Sequence, residues 1–265
     1  VFTIHNIEYQ GRYGDQVLED VIGLDKSYFN EGMLAYHDDV NLMKGAIMAS
    51  NFVTTVSPTY ANELKIPFYA HGMDGVINQQ SGKVQGILNG IDMDLYNPAT
   101  NPGLASNFTA DDPAEGKLAC KLALQRAVGL QENADVPIIA CISRLVGHKG
   151  FSLVTDVLHQ IMGMNVQMVV LGTGDWQFEE AFRNAQQQYP GRFSAQITYS
   201  GPLSTMIYAG ADLFLMPSVS EPCGLSQMIA MRYGTVPIVR ETGGLKDTVF
   251  PYNKFTGIDH GGQGA

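Results

Sequence analysis

Short runs of β-branched and aliphatic residues alternate along this chain with segments whose apolar positions recur at helical spacing. That alternation is the signature of parallel sheets built from βαβ units. It predicts strands at 1–4, 52–56, 84–88, 138–143, 166–171, 196–199, 212–216 and 236–239. Between them it predicts helices at 42–49, 57–64, 114–128, 152–161, 176–188, 202–209 and 226–233. The fold class is therefore α/β, with parallel sheets flanked by helices.

Local signals sharpen two boundaries. Ser57-Pro58 follows an apolar strand directly, with Ser as the expected N-cap and Pro at the first helical position. The interval 89–113 is rich in Asn, Pro, Gly and Asp and carries no period, so it reads as a domain boundary. The expected division is 1–95 and 96–265, with a hinge near 90–113. Only about three strands precede that boundary, fewer than a typical sheet, so the first domain reads as incomplete. The chain opens without Met inside a strand-like run and ends on Gly261-Gly-Gln-Gly-Ala265, which suggests a piece of a longer protein.

Composition narrows the function classes. With 45% hydrophobic and 16% charged residues, the 265-residue chain is ordinary for a globular protein, and no apolar run approaches membrane-spanning length. A net charge of -10 argues against nucleic acid or an anionic membrane as the main partner. Cys120, Cys141 and Cys223 are odd in number and far apart, suggesting neither a disulfide framework nor a zinc site. A reducing compartment fits them best. No Gly-x-Ser-x-Gly elbow, P-loop, His-Glu-x-x-His or Cys-x-x-Cys spacing occurs, which disfavours esterase-type hydrolysis and metal ligation.

Candidate chemistry sits on strand-to-helix connections. Leu213-Phe-Leu-Met216 is followed by Pro217-Ser-Val-Ser-Glu221-Pro222-Cys223-Gly224-Leu225-Ser226, read as a strand, a turn and a helix start with Pro222 in its first turn. A carboxylate beside backbone N–H groups suits a sugar joined to phosphate. The same residues suit an ordinary helix start. After the strand ending near Ile142 come Arg144 and Lys149, a planar fork and a point charge able to clamp a diphosphate, or equally a solvated surface pair. Leu171-Gly-Thr-Gly174-Asp175 lacks the third glycine of a dinucleotide fingerprint and reads as a tight turn. His5-Asn6 and Asn89-Gly90 close strands of the first block, positions able to face a cleft between two domains, although a lone strand-end histidine is more often a satisfied structural group and Asn89-Gly90 is equally a turn dipeptide.

Taken in order, these segments resemble a known family, the bacterial glycogen synthases and plant starch synthases. The resemblance is carried by Thr3-Ile-His5-Asn6-Ile-Glu-Tyr9-Gln10-Gly11, Thr54-Thr-Val-Ser57-Pro58-Thr-Tyr60-Ala61, Ile87-Leu-Asn89-Gly90-Ile-Asp92, Ser143-Arg144-Leu145, Lys149-Gly150, Glu221-Pro-Cys-Gly-Leu225 and Thr242-Gly-Gly-Leu245. It implies two Rossmann-like domains of the GT-B type. It also implies glucose transfer from ADP-glucose to the non-reducing end of an α-1,4-glucan, with retention and with no cofactor or metal. Residues 1–95 would then be the acceptor-side domain and 96–265 the donor domain.

By that resemblance Arg144 and Lys149 contact the donor diphosphate. Glu221 and the amides near Cys223 and Gly224 hold glucose, the amides of Leu225 and Ser226 meet the phosphates, and Tyr199 flanks the adenine. His5 and Asn89 approach glucose from the other domain, His5 assisting an oxocarbenium-like transition state, with its backbone carbonyl one route. Closure of the two domains would exclude water.

The chain departs from the family pattern in places. A Lys-Thr-Gly-Gly-Leu loop expected upstream is absent, as are helices expected beyond Thr256-Gly257, so this polypeptide alone is expected to be inactive. A second Glu found in related transferases eight residues after the first is Ile229 here, which favours the glycogen and starch synthase branch. Val146-Gly147-His148 is not the commonest wording before Lys149. Bacterial cytoplasm is the expected location, or a plastid for a plant source. A non-catalytic nucleotide- or glucan-binding fragment and a UDP-glucose-dependent transferase stay open as alternatives.

Overall fold

The computed structural model describes residues 1–252, which pack as two compact units, Val1–Asn89 and a second beginning at Gly90. The first unit contains strands β1 (Phe2–Ile4), β2 (Arg12–Tyr13), β3 (Ala35–Tyr36), β4 (Asp39–Asn41), β5 (Val53–Thr55) and β6 (Val84–Gly86). Its helices are α1 (Leu42–Ala49), α2 (Pro58–Glu63), α3 (Pro67–Ala70) and α4 (Asp74–Gln79). Strands β1, β5 and β6 form a parallel sheet in that order, with Ile4 opposite Thr55 and Thr55 opposite Gly86.

The expected cap forms, and a second accompanies it. Ser57 Oγ accepts the Tyr60 N–H at 2.9 Å, with Pro58 opening α2. Asn41 does the same for α1 by accepting the Lys44 N–H at 2.9 Å. A second sheet, antiparallel in the order β2-β4-β3, has no counterpart in the hydrophobic pattern. Its strands are two or three residues long, shorter than one detectable alternation.

In the second unit, α5 (Ala114–Val128), β7 (Ile138–Ile142), α6 (Phe151–Gly163), β8 (Gln167–Leu171), α7 (Trp176–Gln188) and β9 (Phe193–Gln196) come first. Then come α8 (Gly201–Gly210), β10 (Leu213–Met216), α9 (Ser226–Arg232), β11 (Val236–Val239) and α10 (Gly243–Thr248). The five strands are parallel in the order β11-β10-β7-β8-β9. Alternate strand residues face opposite layers. Ile138, Ala140, Val169 and Phe214 pack with Leu124, Ile207 and Ile229 of α5, α8 and α9. Ile139, Cys141, Met168 and Val170 pack with Phe151 and Phe182 of α6 and α7. Burial on both faces is why these strands read as continuous apolar runs.

Two expectations are corrected. The strand placed at 196–199 lies at Phe193–Gln196. The misreading comes from Ser194, which is buried and donates its hydroxyl to the Val128 carbonyl at 2.8 Å, breaking the apolar run without leaving the sheet. The helix after β10 starts at Ser226, so Pro222 lies in the preceding loop and not in a helical turn. Gly224, at φ 72°, is left-handed and cannot continue a helix backward. Helix α10 was not expected. Thr256-Gly257 lies outside the described residues.

The amino-terminal edge of this sheet holds a half-buried cation. Lys117 Nζ donates toward the carbonyls of Ala209 (3.1 Å), Ala211 (3.2 Å) and Tyr233 (3.0 Å) and toward Thr235 Oγ1 (3.0 Å), tying α5 to the turns before β10 and β11. Burial pulls its ammonium down to about 8, against the opposing pull of Asp212. No helix among the described residues is long and apolar enough to cross a membrane.

Candidate active site

The chain leaves β7 toward β8 on one side of the sheet and leaves β10 toward β11 on the other, yet β7 and β10 are neighbours. In an open parallel sheet the crevice outside the carboxyl ends of two such strands is where ligands bind. The loops bordering it are 143–150, after β7, and 217–225, after β10. These are the two segments singled out in the sequence.

The loops are pressed together. The Val219 N–H donates to the His148 carbonyl at 2.9 Å. Gly150 is left-handed at φ 75°, and a Cβ there would stand 2.0 Å from the Pro217 carbonyl oxygen, so no other residue fits without moving one loop. On the far flank, the Leu145 N–H donates to the Thr173 carbonyl at 2.9 Å and the Asp175 N–H to the Leu145 carbonyl at 2.7 Å. The Gly172-Thr-Gly174 run thus serves as a brace for the loop that carries Arg144.

Across this junction Lys149 Nζ donates to Glu221 Oε2 at 2.7 Å, and Ser218 Oγ lies 3.0 Å from the same oxygen. The two charged side chains are only 18% and 8% exposed. Both bonds fall on Oε2, which leaves Oε1 to accept from an incoming hydroxyl. A shielded ammonium and carboxylate side by side can meet a phosphoryl group and a polyol at once, which neither could do alone.

The other predicted residues are distributed as follows. Arg144 is exposed, two residues beyond β7. Tyr199 is 94% exposed in the connection from β9 to α8. Leu225 and Ser226 stand at the start of α9, and Cys223 is buried. Thus Lys149 and Glu221 are in direct contact, and Cys223, Gly224, Leu225 and Ser226 continue Glu221's own loop. His5 and Asn89 belong to the other unit, exposed just past β1 and β6 at the carboxyl edge of its parallel sheet.

Three contributors escaped the sequence reading. Ser218 lies inside the motif and reaches Glu221 Oε2, Gln227 lies one residue beyond the motif, and Gly244 of α10 donates its N–H to the Glu221 carbonyl at 3.0 Å. The Thr242-Gly-Gly-Leu245 motif was the available signal for the last.

Comparison with known proteins follows the same two halves. A model of the starch synthase catalytic domain matches residues 1–79, and a model of glycosyl transferases group 1 matches residues 127–258. A glycogen synthase of Geobacillus thermodenitrificans is 50% identical over 97% of this chain and 53% of its own length. One of Streptococcus mutans is 49% identical over 99% of this chain and 56% of its own. Among solved structures, the catalytic domain of starch synthase IV from Arabidopsis thaliana, bound to ADP and acarbose, matches with a TM-score of 0.89 and 42% identity, over 96% of this chain and 53% of that one. The chain spans about half the length of these relatives. With family models matching in both units and glycogen synthases about half identical along nearly the whole chain, the chain belongs to the glycogen synthase and starch synthase family of glycosyltransferases.

Proposed function

We propose that the protein, at the full length of its relatives, transfers glucose from ADP-glucose to the non-reducing end of an α-1,4-glucan with retention, using no cofactor besides the donor. The observation that carries this reading is the Lys149–Glu221 pair at the β7/β10 switch point, 2.7 Å apart and shielded from solvent. Lys149 and Arg144 offset the negative charge that grows on the diphosphate as ADP leaves. Glu221 accepts a glucose hydroxyl, and the amides of Gly224, Leu225 and Ser226 serve the sugar and the phosphates.

Tyr199 offers its exposed ring to the adenine. His5 and Asn89 act on glucose from the first unit, His5 on the developing positive charge. The bacterial glycogen synthases among the relatives support a cytoplasmic setting. That the related starch synthase holds ADP supports an adenine nucleotide over a uridine one.

The test is to incubate the full-length protein with ADP-glucose and glycogen and to follow ADP release, with UDP-glucose as a competing donor. ADP release with elongation of the glucan is expected. No release above background, or a preference for UDP-glucose, would defeat the reading.

A further inference from the structure

Gln227, the second residue of α9, is fully buried behind the Glu221 loop. Its Nε2 lies 3.1 Å from the Cys223 carbonyl, 3.0 Å from the Gly224 carbonyl and 3.0 Å from Thr248 Oγ1 of α10, so its two N–H bonds are shared among three acceptors. Thr248 is itself fixed by donating to the Gly244 carbonyl at 2.6 Å. Gly244 in turn donates to the Glu221 carbonyl at 3.0 Å. Three carbonyls of the loop, those of Glu221, Cys223 and Gly224, are therefore held from behind.

A trans peptide is planar, and its N–H points opposite its C=O. The described residues include no cis bond. The Cys223 carbonyl shares its peptide with the Gly224 N–H, and the Gly224 carbonyl shares its peptide with the Leu225 N–H. Turning both carbonyls inward turns both N–H groups away from Gln227. Among the described residues neither N–H has a hydrogen-bond partner. The arrangement also costs something, since Gln227 Oε1 is buried without a partner, and a Cβ on residue 224 would stand 2.5 Å from it. An orphaned buried oxygen retained behind this loop points to a role for the donor end of the same amide.

We propose that Gln227 is a positioning residue, which aims the Gly224 and Leu225 N–H groups at the donor by locking two peptide planes. This rests on the reading of the site as a glucosyl-donor site, in which the Gly224 N–H meets a sugar hydroxyl and the Leu225 N–H a phosphate oxygen. Gln227 itself touches no substrate. Its effect is to make the two donors pre-aimed, so no reorganisation is needed when charge and geometry change during transfer.

The test uses the full-length protein, ADP-glucose and its four monodeoxy analogues lacking one glucose hydroxyl each. Wild-type kcat/KM is expected to fall about tenfold or more for the analogue that lacks the amide-bound hydroxyl, because a built donor is then left unpaired. In Gln227→Met, of equal length but with no donor, kcat for ADP-glucose is expected to fall about tenfold, and that analogue's penalty to shrink to about threefold or less. A variant that melts cooperatively yet keeps every analogue penalty at its wild-type size overturns the proposal. Gln227→Glu, the same shape without the N–H groups, is expected to repeat the shrinkage and serves if the Met variant fails to fold. Failure of both to fold also overturns it, since Gln227 is then a structural residue only. Wild-type protein that releases no ADP from ADP-glucose overturns the underlying reading and the proposal with it, an outcome distinct from unchanged penalties on an active enzyme.

Discussion

Lys149 and Glu221, 72 residues apart in sequence, meet at 2.7 Å where the loops after β7 and β10 are pressed together. Because the pair is shielded, deleting one partner strands the other. Lys149→Ala and Glu221→Ala are each expected to lower ADP release by the full-length protein by roughly tenfold or more, and to destabilise the second unit by up to about 3 kcal/mol. The double variant should lose less stability than the sum of the two singles, since the second deletion removes the stranded charge. Turnover assays and denaturant titrations of all three variants check this, and normal turnover in both singles would defeat the assigned roles.

Ser218 is 2% exposed and shares Glu221 Oε2 with Lys149 at 3.0 Å. Ser218→Ala removes a neutral donor to a charged acceptor, worth about 1.5–3 kcal/mol at most. The expected result is a lowered denaturation midpoint and reduced turnover, smaller in both respects than for Lys149→Ala. A variant indistinguishable from wild type would show that Lys149 alone orients the carboxylate.

Two left-handed glycines separate backbone conformation from close approach. Gly129, at φ 73°, would place a Cβ in open space, so Gly129→Ala is expected to cost only about 1–2 kcal/mol for the conformation itself. Gly150, at φ 75°, would drive its Cβ to 2.0 Å from the Pro217 carbonyl oxygen. Gly150→Ala should add about 1–3 kcal/mol of overpacking and lower turnover as well, because the loop carrying Lys149 must shift. Equal losses in the two variants, measured by chemical denaturation, would argue against a tight junction.

The half-buried Lys117 makes a signed prediction about pH. Its folded value is lowered to about 8 from 10.5 by burial. Below pH 8 both states hold the proton. Between about 8 and 10.5 the unfolded chain binds more protons, so stability attributable to Lys117 rises with pH, by no more than about 1.4 kcal/mol per unit. Tyr60, Tyr208 and Cys141, each pushed up to about 12 by burial, act in the opposite direction at higher pH. The difference in denaturation midpoint between wild type and Lys117→Met isolates the lysine, and should grow in wild type's favour from pH 8 to 10. Parallel profiles would contradict the shift.

Much of this molecule was legible from local signals. Helices α1, α5 and α7 begin and end where the hydrophobic period predicts, α2 opens on its predicted Ser57 cap, and β7, β8, β10 and β11 follow their apolar runs. The charged residues Lys149 and Glu221 were recognisable because each lies on a loop after a buried strand. The short sheet of β2, β3 and β4 was not, since pairing between segments of two or three residues leaves no period. Ser194 misled for a related reason: its hydroxyl is satisfied by a carbonyl far away in sequence, which no local pattern records.

Local periodicity and chain punctuation were enough to set the α/β class, the alternation of layers and the loops that bear chemistry, because hydrophobic spacing and caps act within a few residues. Contact between those loops came from elsewhere. The strand order β11-β10-β7-β8-β9 makes β7 and β10 neighbours, and that order is settled by long-range burial and backbone pairing. Only then does the Lys149 ammonium find the Glu221 carboxylate, and only then does a buried glutamine turn two peptide planes.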